Sequence, residues 1–294
     1  MRFPPRSILS AIDFSDFTNT VLDHGVSLCK KYSARLLLVH VTIDANTLLE
    51  HNETSLDVVA LQEENTRYAE KALANLIKGQ GVESVSIVGK GSPADEISRI
   101  ATEQEADLVV TATHGRSGFK RLLIGSVTEK LLKTLRCPML VVHAREQESP
   151  LPEKFELKLN KILVGCDFSP DSKLALDYGM NLAREFQAEL HLSHVIKPSF
   201  YAAKLQESKE LRIRLAEQLD SLLPESQRTG VIVKAAVLDG EPYLELMKYA
   251  SQQDIDVVVL GIRGHTLWEK LLVGSTTDRL VRHTTVPVLA VRQL

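Results

Sequence analysis

Two segments of the chain echo one another: GIRGHTLWEKLLVGSTTDRL, residues 261–280, and ATHGRSGFKRLLIGSVTEKL, residues 112–131. Gly264 answers to Gly115 and Gly274 to Gly125, while the leading Gly261 is answered by Ala112. The echo continues outward on both sides. AIDFSDFTN from Ala11 matches GCDFSPDSK from Gly165, which pairs Asp13 with Asp167 at an offset of 154 residues. Val41 and Val195, each after a histidine, keep that offset. Pro93 with Pro242 and Pro138 with Pro287 share an offset of 149 with the glycine pairs. The five-residue slip falls in the segment that begins TIDANTLLEHNETS. Self-similarity of this length means one unit built twice. The expected organisation is a first domain at 1–144, a charged, proline-bearing linker at 145–159, and a second domain at 160–294.

Within each half, apolar runs alternate with helical periods. RLLLVHV, DLVVTA and PMLVV in the first half, and IDVVVLG and PVLAV in the second, lack the polar alternation of a half-exposed sheet. Such strands are buried on both faces, as in a parallel sheet covered by helices. Leu22, Val26 and Cys29, matched by Leu176, Met180 and Ala183, recur at helical spacing. Five strands and four helices fit each half, so the fold class is α/β, with two tandem doubly wound open parallel sheets.

Composition narrows the function. With 35 Lys and Arg against 38 Asp and Glu, the formal charge is −3, and no basic footprint argues for nucleic acid. No run approaches the ~20 apolar residues that span a bilayer, and MRFPPRSILSAID lacks the apolar core of a secretory signal. The expected location is cytoplasmic. Cys29, Cys137 and Cys166 show no C-x-x-C spacing and align with Ala183, Val286 and Ile12, so they read as core filler.

In doubly wound sheets, ligands bind beyond the carboxyl ends of the strands, where strand order reverses. The first strand ends near Asp13 or Asp167 and the fourth at Ala112 or Gly261, so the glycine segment starts where that crevice opens. Gly125-Ser126-Val127 and Gly274-Ser275-Thr276 then enter a helix, whose first N–H groups lack intrahelical partners and favour an anion. Arg116, Lys120 and Arg121 in the first half, and Arg263, His265 and Lys270 in the second, would add positive charge. The plainer reading is helix capping: Ser126 with Glu129 spells a capping box, and Ser275 with Asp278 a near relative.

The pattern G-x2-G-x9-G-[ST], complete as Gly261, Gly264, Gly274 and Ser275, resembles the nucleotide-binding signature of the universal stress proteins. The resemblance covers nearly the whole chain, twice. It implies an adenine nucleotide alpha hydrolase-like sheet of order 3-2-1-4-5 in each half. It further implies that Asp13 and Asp167 meet adenine and that the backbones of Val41 and Val195 contact the base. The phosphates would then lie on Gly261, Arg263, Gly264, His265, Gly274, Ser275 and Thr276, or on Ala112, Gly115, Arg116, Gly125, Ser126 and Val127. KGSPADEI and LDGEPYLEL match the family's G-x-P-x-x-E turn. The implied cofactor is ATP, or AMP or ADP, with Mg2+ on the phosphates and no protein metal cluster. The implied partners are this nucleotide, the other half through fifth-strand pairing (Pro138 strand against Pro287 strand), and a second chain in a homodimer.

Ala112 is the one departure. If it needs positive φ, its methyl costs about 1–2 kcal/mol; with negative φ it costs almost nothing. The intact motif therefore makes the second half the expected ATP site ahead of the first. The resulting expectation is an ATP-binding stress-response regulator with no catalytic residues. The alternative is a stress protein that binds no nucleotide and acts through dimerisation and partners. An ATP-using ligase would need an adenylation signature, and none is present. G-x-G-x-x-A at Gly89 lies on the third strand, the wrong one for a dinucleotide fingerprint. His191 and His194 sit three apart on a strand and point to opposite faces, so they make no metal pair. His40 and His194 read as structural.

Overall fold

A computed structural model describes residues 3–42, 55–113, 124–143, 155–197, 205–263 and 273–293. Two units are present, Met1–Leu157 and Lys158–Leu294. The first runs β1 (Ser7–Ala11), α1 (Thr18–Tyr32), β2 (Arg35–Thr42), α2 (Ser55–Ile77), β3 (Ser84–Lys90), α3 (Pro93–Glu103), β4 (Leu108–Ala112), α4 (Ser126–Thr134) and β5 (Met139–Val142). The second repeats this as β6 (Lys161–Gly165), α5 (Pro170–Phe186), β7 (Glu189–Ile196), α6 (Leu205–Ser221), β8 (Val233–Asp239), α7 (Pro242–Gln252), β9 (Val257–Gly261), α8 (Ser275–His283) and β10 (Val288–Val291). A short 3-10 turn, Glu225–Gln227, precedes β8.

All pairings within each unit are parallel. β1 lies between β2 and β4, with β3 beyond β2 and β5 beyond β4, which gives the order 3-2-1-4-5. The second unit has β6 between β7 and β9, with β8 and β10 outside them. The central strands carry the apolar load: every residue of β1, β5 and β10 is buried. Seven-residue β3 and β8 are mostly half-exposed, as befits the outer position on that side.

Repeated small contacts set the strand ends. Asp107 Oδ2 accepts the N–H groups of Arg6 (2.8 Å) and Ser7 (3.2 Å), and Asp256 Oδ2 accepts those of Asn160 (2.6 Å) and Lys161 (2.9 Å). Each aspartate thus joins the start of its unit's fourth strand to the start of the first. On the covering helix, a Cβ on Gly179 would lie 2.5 Å from Val164 Cγ2, so this glycine lets α5 seat on β6. Phe155 and Leu157, within the stretch expected as linker, lie against α1. The Phe155 ring is 5.0 Å from that of His24, and Leu157 N–H donates to Ser27 Oγ at 2.7 Å.

At the opposite ends of the strands, the turns into the third helix are built alike. Gly91 and Gly240 take φ of 123° and 143°, where an L side chain is strained, and Pro93 and Pro242 then start α3 and α7.

Candidate functional site

The crevice of each unit opens where the outgoing connections of the first and fourth strands diverge. In the first unit the chain leaves β1 through Ile12, whose N–H still pairs with Val39 O at 2.9 Å, and reaches Asp13. Asp13 Oδ1 accepts the N–H of Ser15 at 3.1 Å, closing a tight turn over Phe14 at φ 57°. His40, at the end of β2, donates Nδ1–H to the Ile12 carbonyl at 2.9 Å and stacks on Phe14 with ring centroids 4.4 Å apart.

The second unit repeats every part. Asp167 Oδ1 accepts Ser169 N–H at 3.0 Å, Phe168 sits at φ 64°, and His194 donates to Cys166 O at 2.8 Å with its ring 4.8 Å from Phe168. A left-handed phenylalanine costs about 1–2 kcal/mol. The histidine hydrogen bond and the ring contact hold it there twice. The structural reading of these two histidines therefore has a specific content, which is to fix the turn that carries the aspartate. The sequence signal for this role was the repeated D-F-S with a histidine ending the next strand.

The fourth-strand side is equally regular. α4 has Gly125 as its N-cap at φ −62°, and α8 has Gly274 at φ −57°, with no side-chain capping hydrogen bond at either. Ser126 and Ser275 lie one residue inside their helices and so do not form the capping box that the sequence spelled. The helix starts are tied down from elsewhere. Thr128 Oγ1 donates to Ala112 O at 2.6 Å, and Thr277 Oγ1 to Gly261 O at 2.8 Å. Gly125 N–H donates to Thr113 O at 2.6 Å, and Gly274 N–H to Ile262 O at 2.7 Å. These threonines were missed in the sequence because a buried threonine in a helix carries no signal without the strand it reaches.

Asp13, Val41, Ala112, Gly125, Ser126 and Val127 all border one cavity of about 300 Å³ in the first unit. Phe17, Val21 and Ile97 supply apolar wall, and Thr111 and Thr128 polar atoms. Gly115 and Arg116 lie outside the described residues, as do Gly264 and His265 of the second unit. Ala112 is the last residue of β4 and has extended backbone, so its methyl carries no conformational penalty. Gly261 likewise ends β9.

In the second unit, Asp167, Val195, Gly274, Ser275 and Thr276 hold the repeated places, but the wall differs. Asp171, in the place of Phe17, is buried and accepts Arg263 N–H at 3.0 Å. Burial, reinforced by the nearby Arg263, lowers the pKa of the buried Arg292 guanidinium, with Asp171 opposing. Among the described residues, no group of three or more His, Cys, Asp or Glu could hold a metal ion. Burial pushes the Cys29 and Cys137 thiols up to about 12 and raises Cys166, so none is a thiolate nucleophile at neutral pH. No described helix is long and apolar enough to cross a membrane.

The universal stress protein family model matches the chain twice, over residues 5–143 and 158–292. The chain belongs to the universal stress protein family. A universal stress protein of Mycolicibacterium smegmatis is 27% identical over 97% of this chain and 96% of its own length. One from Methanocaldococcus jannaschii is 29% identical over 49% of this chain and 85% of its own. The crystal structure of a universal stress protein from Archaeoglobus fulgidus superposes with a TM-score of 0.70 at 20% identity, covering 99% of each chain. That likeness concerns the fold, and the two matches make this universal stress protein a tandem one.

Proposed function

We propose that this universal stress protein binds an adenine nucleotide at the strand-end crevice and that occupancy of the crevice sets which partners it engages. The observation that carries the reading is the convergence of Asp13, Val41, Ala112, Gly125, Ser126 and Val127, far apart in sequence, on one cavity. Its volume of about 300 Å³ is at the lower end of what small-ligand sites need, and its mixed lining suits a flat, partly apolar base. Asp13 and the backbone of Val41 would meet the base edge. The first-turn N–H groups of α4, reached from an N-cap glycine without a side-chain acceptor, would meet the phosphates.

Asp167, Val195, Gly261, Arg263, Gly274, Ser275 and Thr276 form the corresponding set in the second unit. Mg2+ would bind through the phosphates and reduce their charge. The reading is of a nucleotide-responsive regulator and not of a rapid hydrolase. Calorimetric titration of nucleotide-stripped protein with ATP, AMP and GTP tests it. Binding of ATP or AMP, with GTP weaker, is the expected result, and a folded protein that binds none of the three refutes the reading.

A further inference from the structure

The two crevices differ in the wall that the first helix supplies. In the first unit, Phe17 and Thr18 line the cavity, and α1 begins at Thr18. The repeat puts Asp171 and Ser172 at these places, and α5 begins at Pro170, whose counterpart is Asp16. The helix of the second unit therefore starts two residues early, helped by Pro170 at its first turn and by Ser169, which accepts Ser172 N–H at 3.2 Å. This early start brings the α5 backbone down on the end of β9. A Cβ on Gly261 would lie 2.7 Å from the Asp171 carbonyl carbon and 2.8 Å from Ser172 N. Gly261 is thus glycine because α5 crosses it, whatever it does for a ligand.

Asp171, 5% exposed, accepts main-chain N–H groups on both carboxylate oxygens. Oδ2 accepts Arg263 N–H and Oδ1 accepts Gln293 N–H, each at 3.0 Å. Arg263 follows β9 by two residues, and Gln293 follows β10 by two. Ser169 Oγ further donates to Arg263 O at 3.3 Å, tying Arg263 to the helix start.

We infer that Asp171 is a built-in anion that holds the second-unit crevice shut, so that this chain takes nucleotide in its first unit alone. The inference rests on the nucleotide reading above. A phosphate that reaches Arg263 must displace a buried carboxylate from that N–H or else sit beside it. Like charges brought together in a desolvated site repel strongly. Phe17 imposes neither term in the first unit. The complete glycine motif consequently marks the closed crevice, and the motif interrupted by Ala112 marks the open one.

Calorimetric titration of the full chain with Mg-ATP, in wild type and in Gly125→Asp, Asp171→Ala and the double variant, tests this. Aspartate is a favoured N-cap, so Gly125→Asp keeps the fold while placing a carboxylate at the phosphate-facing turn. The expected stoichiometry is one ATP per chain in wild type, with affinity falling at least about 100-fold in Gly125→Asp. Asp171→Ala gains a second ATP, and the double variant retains that one. Two ATP per chain in wild type, one of them surviving in Gly125→Asp, overturns the inference and leaves the nucleotide reading standing. No binding by folded wild type overturns the reading itself. A folded Asp171→Ala protein that still binds one ATP removes Asp171 as the cause. Should that variant fail to fold, Asp171→Asn, which keeps size and one acceptor, makes the same comparison.

Discussion

Thr128 Oγ1 donates to the carbonyl of Ala112 at 2.6 Å, fastening the first turn of α4 to the last residue of β4. Its counterpart, Thr277 to Gly261 at 2.8 Å, does the same for α8 and β9. The helix start that faces the crevice is therefore aimed by the strand end and not by a cap of its own. Thr128→Val keeps the shape and removes the hydrogen bond to a partly buried carbonyl, at a cost of about 0.5–1.5 kcal/mol in stability. If the aim of α4 matters, ATP affinity falls in this variant by more than in Thr277→Val. Paired denaturation and titration curves of the two variants separate the effects.

Exchanging alanine and glycine between the units gives unequal outcomes. Ala112→Gly acts on extended backbone and changes ATP affinity by no more than about twofold, with a loss of about 0.5–1 kcal/mol in stability. Gly261→Ala drives a methyl into the α5 backbone, which no rotamer relieves, and costs about 1–3 kcal/mol. Urea unfolding of the two variants checks this. Equal losses would mean that α5 yields at little cost.

The turn-holding histidines give a test of independence. His40→Leu and His194→Leu each remove the donor to a main-chain carbonyl, at Ile12 and Cys166, and free the strained phenylalanine beside it. Each costs about 1–3 kcal/mol. Because the sites lie in different units, the double variant loses the sum to within about 0.5 kcal/mol. A markedly smaller loss would show that the turns are coupled.

A buried polar group gives the second unit a pH response. His191 is fully buried, with Nδ1 2.8 Å from Tyr249 Oη and Nε2 2.6 Å from Glu189 Oε1, which Lys234 Nζ also approaches at 2.5 Å. The first unit has Leu37 and Ile100 at the places of His191 and Tyr249. Burial lowers the His191 pKa below the usual 6.5; Glu189 opposes this shift, and the more distant charges of Lys234 and Lys161 add to it. The folded state thus prefers the neutral ring, and the unfolded chain takes up the proton first. Stability from this group is complete above the ordinary histidine pKa and is lost as pH falls from about 6.5 through the lower folded value, at no more than about 1.4 kcal/mol per pH unit. Glu189, whose pKa the Lys234 hydrogen bond lowers below 4.5, contributes only at more acid pH. Unfolding free energies between pH 7.5 and 5 should show the slope in wild type and a shallower one in His191→Leu/Tyr249→Ile. An unchanged slope would assign it to other groups.

The cysteines should react slowly or not at all in the native state. With Cys29 and Cys137 pushed up to about 12 and Cys166 raised, all by burial, none presents a thiolate at pH 8. A thiol reagent should label Cys29 and Cys166 only after denaturation, and the half-buried Cys137 slowly in the folded protein. Fast labelling of the folded protein would mean that one of these sites opens.

The sequence by itself determined the duplication, the parallel α/β sheets and the residues that end the first, second and fourth strands. These are written in local pattern: a fixed offset, apolar runs without alternation, and turn residues at equal places. The family resemblance of its motifs also implied one expected site for Asp13, Val41 and Gly125–Val127. The sequence did not show that Ser126 would lie inside its helix, since one residue of shift in a helix start leaves the same letters in place. Nor did it show the meaning of Gly261 or Asp171. Only the tertiary structure decided those, because each depends on how closely the α5 backbone approaches a strand end about 90 residues away, and a close approach between distant segments leaves no periodicity in either.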